Sequence, residues 1–213
     1  MYASVVGFFQ EGGTFMYPIM VVLAIGLAIT IERYIYLTAA RRGNSKQLNQ
    51  LLPLLQSGDF KQAYNLASKS SHAVNRMLSQ GLARFNSANN RDDIETAMEE
   101  SMLEAIPRLE RRTHYLAMLA NIATLLGLLG TIIGLIKAFT AVAAVDPSLK
   151  AEILSTSISV AMNTTAFGLM VAIPLLLFFT VLQTKTTQVV DSLEMATVKF
   201  TNLMMQRKNI ADA

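Results

Sequence analysis

Gly127-Leu128-Leu129-Gly130-Thr131-Ile132-Ile133-Gly134 sits in the middle of a run, Leu116 to Ile136, of 21 residues without a charge. At about 1.5 Å of rise per residue, such a run spans the hydrocarbon of a bilayer. Three glycines are unexpected in it, because each costs roughly 1 kcal/mol in a helix interior. In lipid, however, small residues let helix backbones come close, and the Thr131 hydroxyl is costly to leave in hydrocarbon without a partner. The segment is therefore expected to face other helices.

Two more charge-free runs, Gly12 to Ile31 and Ile153 to Thr184, stand on either side of it in the chain. The 213 residues are 52% hydrophobic with positive mean hydropathy, which by itself fits a large soluble domain or a small membrane protein. A soluble helix of these lengths would carry charges every three or four residues on its wet face. Their absence predicts an all-α integral membrane protein with three transmembrane helices, long cytoplasmic helical extensions and a cytoplasmic helical hairpin.

The basic residues set the expected orientation, since Lys and Arg near helix ends stay on the cytoplasmic side. The first fourteen residues hold only Glu11 as a charge, whereas Ala39 to His114 contains eleven basic residues. Lys185, Lys199, Arg207 and Lys208 follow the third run. The N-terminus is thus expected outside and the C-terminus in the cytoplasm. The organisation reads as an outer N-terminus and first spanning helix (1–40), a cytoplasmic helical region (41–114), a second spanning helix (115–145), an outer loop (146–152), a third spanning helix (153–184) and a cytoplasmic helical tail (185–213). No basic residue precedes the first run, so a spanning helix is expected there rather than a secretory signal.

Within this frame the first helix is expected from about Thr14 to Ala40, with Tyr17 and Pro18 near its outer end and Tyr34 and Tyr36 near its inner end, as in an interfacial belt. Leu48, Leu51, Leu52 and Leu55 share a face before the turn Ser57-Gly58-Asp59, after which Ala63, Leu66 and Ala67 resume a helical period. Met77, Leu78, Leu82 and Phe85 continue it up to the polar break Asn86 to Arg91. Asp92, Asp93 and Glu95 then load a helix start with acid. That helix can run on through Met98, Met102, Leu103 and Leu109 into the second span, in which case Asp92 to Val145 measures roughly 80 Å; Pro107 marks a kink or a break. A polar extension of the third span carries Val189, Leu193, Met195 and Phe200.

No enzyme constellation is present. Zero cysteines exclude disulfides, Cys-ligated zinc and a thiol nucleophile. His72 and His114 lie far apart without a paired carboxylate, and Glu99, Glu100 and Glu104 read as a solvated face, so neither a metal nor a cofactor is expected. The net charge of +3 follows from membrane topology, and no basic block interleaved with aromatics suggests nucleic acid.

The spans carry a different signal. Asn121, Thr124 and Thr131 fall within an arc of about 80°, with Gly127, Gly130 and Gly134 on the adjoining arc. The outer half of the third span holds Ser155, Thr156, Ser157, Ser159, Asn163, Thr164 and Thr165, whereas its inner half has only Thr180. These hydroxyls either line a polar path or bond back to helix carbonyls and serve packing. Spacing leaves both readings open. Only Glu32, Arg33 and Lys137, near the span ends, can ionise, so a proton route would need a carboxylate from a second protein.

Pro107-Arg108-Leu109-Glu110-Arg111 followed by Leu126-Gly127-Leu128-Leu129-Gly130-Thr131-Ile132-Ile133-Gly134 and Lys137-Ala138-Phe139 resembles the second-helix signature of the MotA/TolQ/ExbB proton channel family. Thr165-Ala166-Phe167-Gly168-Leu169 with Ala172-Ile173-Pro174 resembles its third-helix signature, and Glu32-Arg33 with Leu37 and Gly58-Asp59-Phe60 also fit. The three-helix plan favours the ExbB/TolQ branch over the four-helix flagellar stators. The resemblance implies an ion-motive-force-driven motor subunit, not an enzyme, with five copies around an ExbD- or TolR-like single-span subunit that carries a membrane aspartate. It maps the ion path onto Thr131 and Thr165, with Asn121, Thr124, Asn163 and Thr164 as further path-lining candidates and Gly127, Gly130 and Gly134 for helix packing between neighbours. Where ExbB-like members often carry a glutamate five positions before the third-helix threonine, this chain has Val160. The alternative reading is a non-conducting helical scaffold that anchors envelope proteins.

Overall fold

The computed structural model describes residues 13–85 and 91–211, without the side chains of 207–211. Glu11, the start of the first charge-free run at Gly12, the polar stretch Asn86 to Asn90 and the side chains of Arg207 and Lys208 lie outside the described residues. Among the described residues six helices follow in order: α1 (Met16–Ser57), α2 (Phe60–Ser68), α3 (Ala73–Phe85), α4 (Arg91–Glu110), α5 (Thr113–Ala143) and α6 (Lys150–Ala211). The described residues contain no strand. Three stretches, Met16–Ser57, Arg91–Ala143 and Lys150–Gln206, are long and apolar enough to cross a membrane.

The first helix does not stop near Ala40 but runs on to Ser57. A change from apolar to polar side chains leaves the backbone hydrogen bonds intact, and the leucine period through Leu48, Leu51, Leu52 and Leu55 continues the same helix. Its end comes at Gly58, whose φ of +84° is left-handed and suits a residue without Cβ. Asp59 then starts α2, its Oδ1 accepting the Gln62 N–H at 3.0 Å.

The continuous helix from Asp92 to Val145 is absent. Pro107 stays within α4, where its carbonyl accepts the Arg111 N–H at 3.0 Å. The interruption comes at Arg112, a non-glycine residue at φ +66°, and separates helices of 20 and 31 residues. Proline removes its own N–H and strains the preceding turn, yet the helix runs on past Pro107 and is interrupted where Arg112 takes up the left-handed conformation.

The break exposes the last carbonyls of α4, and Arg33 meets them. Its side chain is 2% exposed, with Nη1 donating to the Arg108 carbonyl at 3.4 Å and Nη2 to the Leu109 carbonyl. A guanidinium at a helix C-terminus satisfies orphan acceptors and opposes the negative end of the macrodipole. Thr186 Oγ1 lies 3.5 Å from the Leu109 carbonyl as well, although the Leu182 carbonyl of its own helix is closer, at 3.1 Å. Arg33→Met is expected to destabilise the protein by about 3 kcal/mol, because it strips charge-assisted caps from buried carbonyls. Thermal unfolding checks this, and Arg33→Lys should recover less than half, since a single ammonium nitrogen cannot reproduce the planar pair of nitrogens that meets the two carbonyls.

Two compact units share the chain. One comprises the residues up to Glu32 with Arg112–Val181. Its buried positions are mostly small: Ala120, Ala123, Gly127, Gly130, Ala138, Ala161, Thr164, Gly168 and Ala172. Large apolar side chains such as Leu125, Ile136, Phe139, Met162, Met170 and Leu177 point outward. Met16, Ile19, Leu116 and Leu175 are buried as well, but the many large apolar side chains on the outside fit a lipid surround.

The other unit comprises Arg33–Arg111 with Leu182–Ala213, and its interior is of the ordinary kind. Leu37, Leu51, Leu55, Met77, Leu78, Ile94, Met98, Val189, Leu193 and Phe200 are buried in it. Gly81 makes room there, since a Cβ at that position would lie 2.8 Å from both Met98 Sδ and Phe200 Cε1. The Phe60 and Phe85 rings tilt against each other with centroids 5.2 Å apart. Met195, on the same extension, is 59% exposed, whereas Leu193, Ala196 and Phe200 are buried on the inner side of α6.

Candidate functional site

The glycines of α5 meet α6 of the same chain. A Cβ on Gly127 would stand 3.2 Å from Thr165 Cα, one on Gly130 would stand 2.4 Å from Thr164 Cγ2, and one on Gly134 would stand 2.8 Å from Ala161 Cβ. On the opposite helix, Gly168 points a hydrogen where a Cβ would lie 2.7 Å from the Ala123 carbonyl oxygen and 3.1 Å from Gly127 Cα. Each glycine therefore replaces a side chain that the neighbouring backbone or a short side chain would exclude. Gly168 is the partner that the α5 glycines need, four residues after Thr164 on the same stripe of α6. The close approach expected between neighbouring copies is thus made within one chain at these positions.

That contact brings two hydroxyls together. Thr131 Oγ1 and Thr165 Oγ1 lie 2.7 Å apart. Thr165 Oγ1 is also 2.8 Å from the Gly127 carbonyl, and Thr131 Oγ1 is 2.9 Å from the Leu128 carbonyl and 3.2 Å from that of Gly127. Two O–H groups share these acceptors, so two arrangements exist. Thr131 donates to Thr165, which donates to Gly127; or Thr165 donates to Thr131, which donates to Leu128. In the first, Thr131 Oγ1 accepts nothing; in the second, Thr165 Oγ1 accepts nothing. The pair can therefore offer a free acceptor from either oxygen by hydroxyl rotation alone. Both threonines are half-buried, so an approaching donor can reach them.

The remaining polar candidates are placed differently. Asn121 and Thr124 are exposed on the α5 stripe that carries Thr131, and Thr124 Oγ1 bonds back to the Ala120 carbonyl at 3.1 Å. Asn163 is half-buried. Thr164 is 2% exposed, bonds back to the Val160 carbonyl at 3.0 Å and packs its methyl on Gly130, so it belongs to the helix contact rather than to the hydroxyl pair. Val160 is half-buried, and its Cγ1 would lie 3.2 Å from a Cβ on Gly13. Lys137 and His114 are exposed, the latter with its ring 6.4 Å from that of Phe179. Glu32 pairs with Arg112 at 3.1 Å, both side chains about half exposed.

The α5–α6 pair thus has a close glycine contact with two hydroxyls at its edge. Residues 69–195 match the model of the MotA/TolQ/ExbB proton channel family, and the chain belongs to that family. It is similar to the biopolymer transport protein ExbB homolog of Methanothermobacter thermautotrophicus, 27% identical over 196 residues that cover 91% of this chain and 68% of that one. It is also similar to the biopolymer transport protein ExbB-like 1 of Synechocystis sp., 29% identical over 186 residues, 86% of this chain and 72% of the relative. A shorter match, 48% identical over 59 residues, joins 28% of this chain to 26% of the biopolymer transport protein exbB1 of Vibrio cholerae. Proton-channel membership and three apolar stretches make this a multi-pass membrane protein of a transport family, not of an enzyme family.

Proposed function

We propose that this chain is the multi-pass subunit of an ion-motive-force-driven motor of the ExbB/TolQ type in a bacterial inner membrane. It couples proton flow to work on envelope partners through a single-span ExbD- or TolR-like subunit. The observation that carries the reading is the Thr131–Thr165 hydroxyl pair, held at 2.7 Å in spans that contain no ionisable side chain beside it. Hydroxyls with pKa values far above neutrality relay or accept a hydrogen bond but do not store a proton, so a carboxyl group must come from the partner.

The two alternating hydroxyl arrangements suit that task. A protonated partner aspartate donates to whichever threonine oxygen is free, and an ionised one accepts from a hydroxyl turned toward it. Five copies around the partner helix would present five such pairs in a ring. The outward apolar faces of the small-core unit support contact with lipid and neighbouring copies, and the soluble-type core of the other unit supports its placement in the cytoplasm. The skew of basic residues supports a periplasmic N-terminus and a cytoplasmic C-terminus.

Co-reconstitution with the single-span partner in vesicles, with flux read by a pH-sensitive dye, tests the proposal. Gradient-driven flux is expected only with the partner present, and changing the partner's membrane aspartate to asparagine should abolish it. Equal flux from this chain alone would overturn the partner-carboxylate mechanism. Absence of any dependence on the gradient would leave the non-conducting scaffold.

A further inference from the structure

A groove of about 770 Å³ in the Arg33–Arg111 unit runs between α1 and α6. It gathers Arg41, Arg42 and Lys46 from the first helix and Lys185 from the last, and no carboxylate lines it. Arg41, Arg42 and Lys46 are exposed, and among the described residues none of the four cations pairs with an acid. The contacts they do make are neutral. Arg41 Nη1 donates to Gln188 Oε1 at 2.9 Å, Lys185 Nζ donates to Thr38 Oγ1 at 3.4 Å, and the same ammonium lies 4.3 Å from the centroid of the Tyr34 ring. Such contacts orient the two side chains without cancelling their charge. Four like charges along one groove repel one another, and a bound anion relieves that repulsion.

The groove begins where the apolar runs end. Tyr34 and Tyr36 are the tyrosines at the inner end of the first span, and Lys185 is the first residue after the third charge-free run. Arg41 and Arg42 follow Tyr36 by five and six residues, about 7.5 to 9 Å along the helix. A helical Cα–Cβ bond leans toward the N-terminus, which on α1 is toward the bilayer, so these long side chains reach back into a headgroup layer roughly 5–8 Å deep. Tyr34, Ile35 and Tyr36 are all exposed, so apolar surface adjoins the cations on the membrane side.

We propose that this groove binds the phosphate head group of an anionic phospholipid from the adjacent leaflet. Arg41, Arg42 and Lys185 supply forked and single donors to the phosphate oxygens, and Lys46, one turn beyond Arg42, adds charge at the far end. The exposed tyrosines and Ile35 meet the glycerol and the first methylenes of the acyl chains. Retention of basic residues on one side of the membrane accounts for the sign of the charge. It does not account for cations from two helices lining one groove free of acid, which is what a lipid phosphate requires.

The double variant Arg41→Gln/Arg42→Gln removes two charges from exposed positions in the groove. Lys61→Gln/Lys69→Gln removes the same charge from exposed positions outside it and serves as the control. The full-length protein is placed in nanodiscs of mixed phosphatidylglycerol and phosphatidylcholine, and the lipids it retains on release are counted by native mass spectrometry. The parent should retain phosphatidylglycerol in preference to phosphatidylcholine, the groove variant should lose that preference roughly tenfold or more, and the control should keep it. Arg42→Gln/Lys46→Gln, which leaves the Arg41–Gln188 bond in place, should behave as the first groove variant does. No preference in the parent, a preference unaltered in both groove variants, or an equal loss in the control overturns the proposal. Dissociation of the oligomer with the lipid preference unaltered assigns the groove to a neighbouring copy and overturns it too. Ion flux is not the readout, so the outcome stands apart from that of the motor reading.

Discussion

Replacing Gly168 with leucine is expected to abolish the folded protein, and even Gly168→Ala should lower its melting temperature by roughly 10 °C. The reason is the nature of the atom in the way. A Cβ at 168 would lie 2.7 Å from the Ala123 carbonyl oxygen and 3.1 Å from Gly127 Cα, and a helix backbone cannot swing aside as a side chain can. The two helices must separate, which opens voids along the whole seam and takes Thr165 away from Thr131. Gly26→Ala is the control. Its Cβ would meet Leu175 Cδ2 at 2.5 Å, but a leucine terminus can change rotamer, so a loss of about 1 kcal/mol or less is expected. Melting curves of both variants in one detergent check the contrast, and equal losses would mean that the α5–α6 seam is not the tight contact described.

Thr131→Val should reduce ion-coupled activity at least tenfold while leaving assembly intact. Valine keeps the shape of threonine and removes the hydroxyl, so the change isolates hydrogen bonding from packing. Thr131 is half-buried with carbonyls beside it that remain bonded within the helix, so a stability loss of about 1 kcal/mol or less is expected. A bond from this hydroxyl to an ionised partner group is worth about 1.5–3 kcal/mol, which is a factor of ten or more in rate. Thr165→Val should behave alike, and the double variant should lose little more than either single one, because each removes the same relay. Thr131→Ser, which retains the O–H, should restore most of the flux. Full activity in Thr131→Val would refute a role for the pair in conduction.

The three spans were legible because lipid imposes a simple rule: long runs without charge have no other stable home, and Leu116 to Ile136 obeys it. The turn at Gly58-Asp59 was equally plain, since a glycine followed by a capping aspartate carries its own local geometry. The length of α1 was not legible, because helix continuity depends on backbone bonds that a shift from Leu to Arg does not disturb. Nor was the break at Arg112. Proline announces itself in a sequence, whereas a left-handed arginine does not, and only the structure shows Arg33 satisfying the α4 carbonyls that the break at Arg112 leaves open.

The residues of the site divide in the same way. Thr131 and Thr165 stand out as hydroxyls in matching signatures, but Thr164 and Thr165 are neighbours and spacing alone could not assign their tasks. A 100° step between them on α6 sends Thr164 into the glycine seam and leaves Thr165 at its edge, facing Thr131. The amino-acid sequence by itself determined that this is a helical membrane protein with a small-residue seam and no titratable group beside its hydroxyls, because hydropathy and residue size are properties of each position alone. Tertiary structure decided that the seam closes within one chain, that Gly168 completes it and that Arg33 is buried as a cap, because each depends on which helix faces which, at a precision of less than one methyl group.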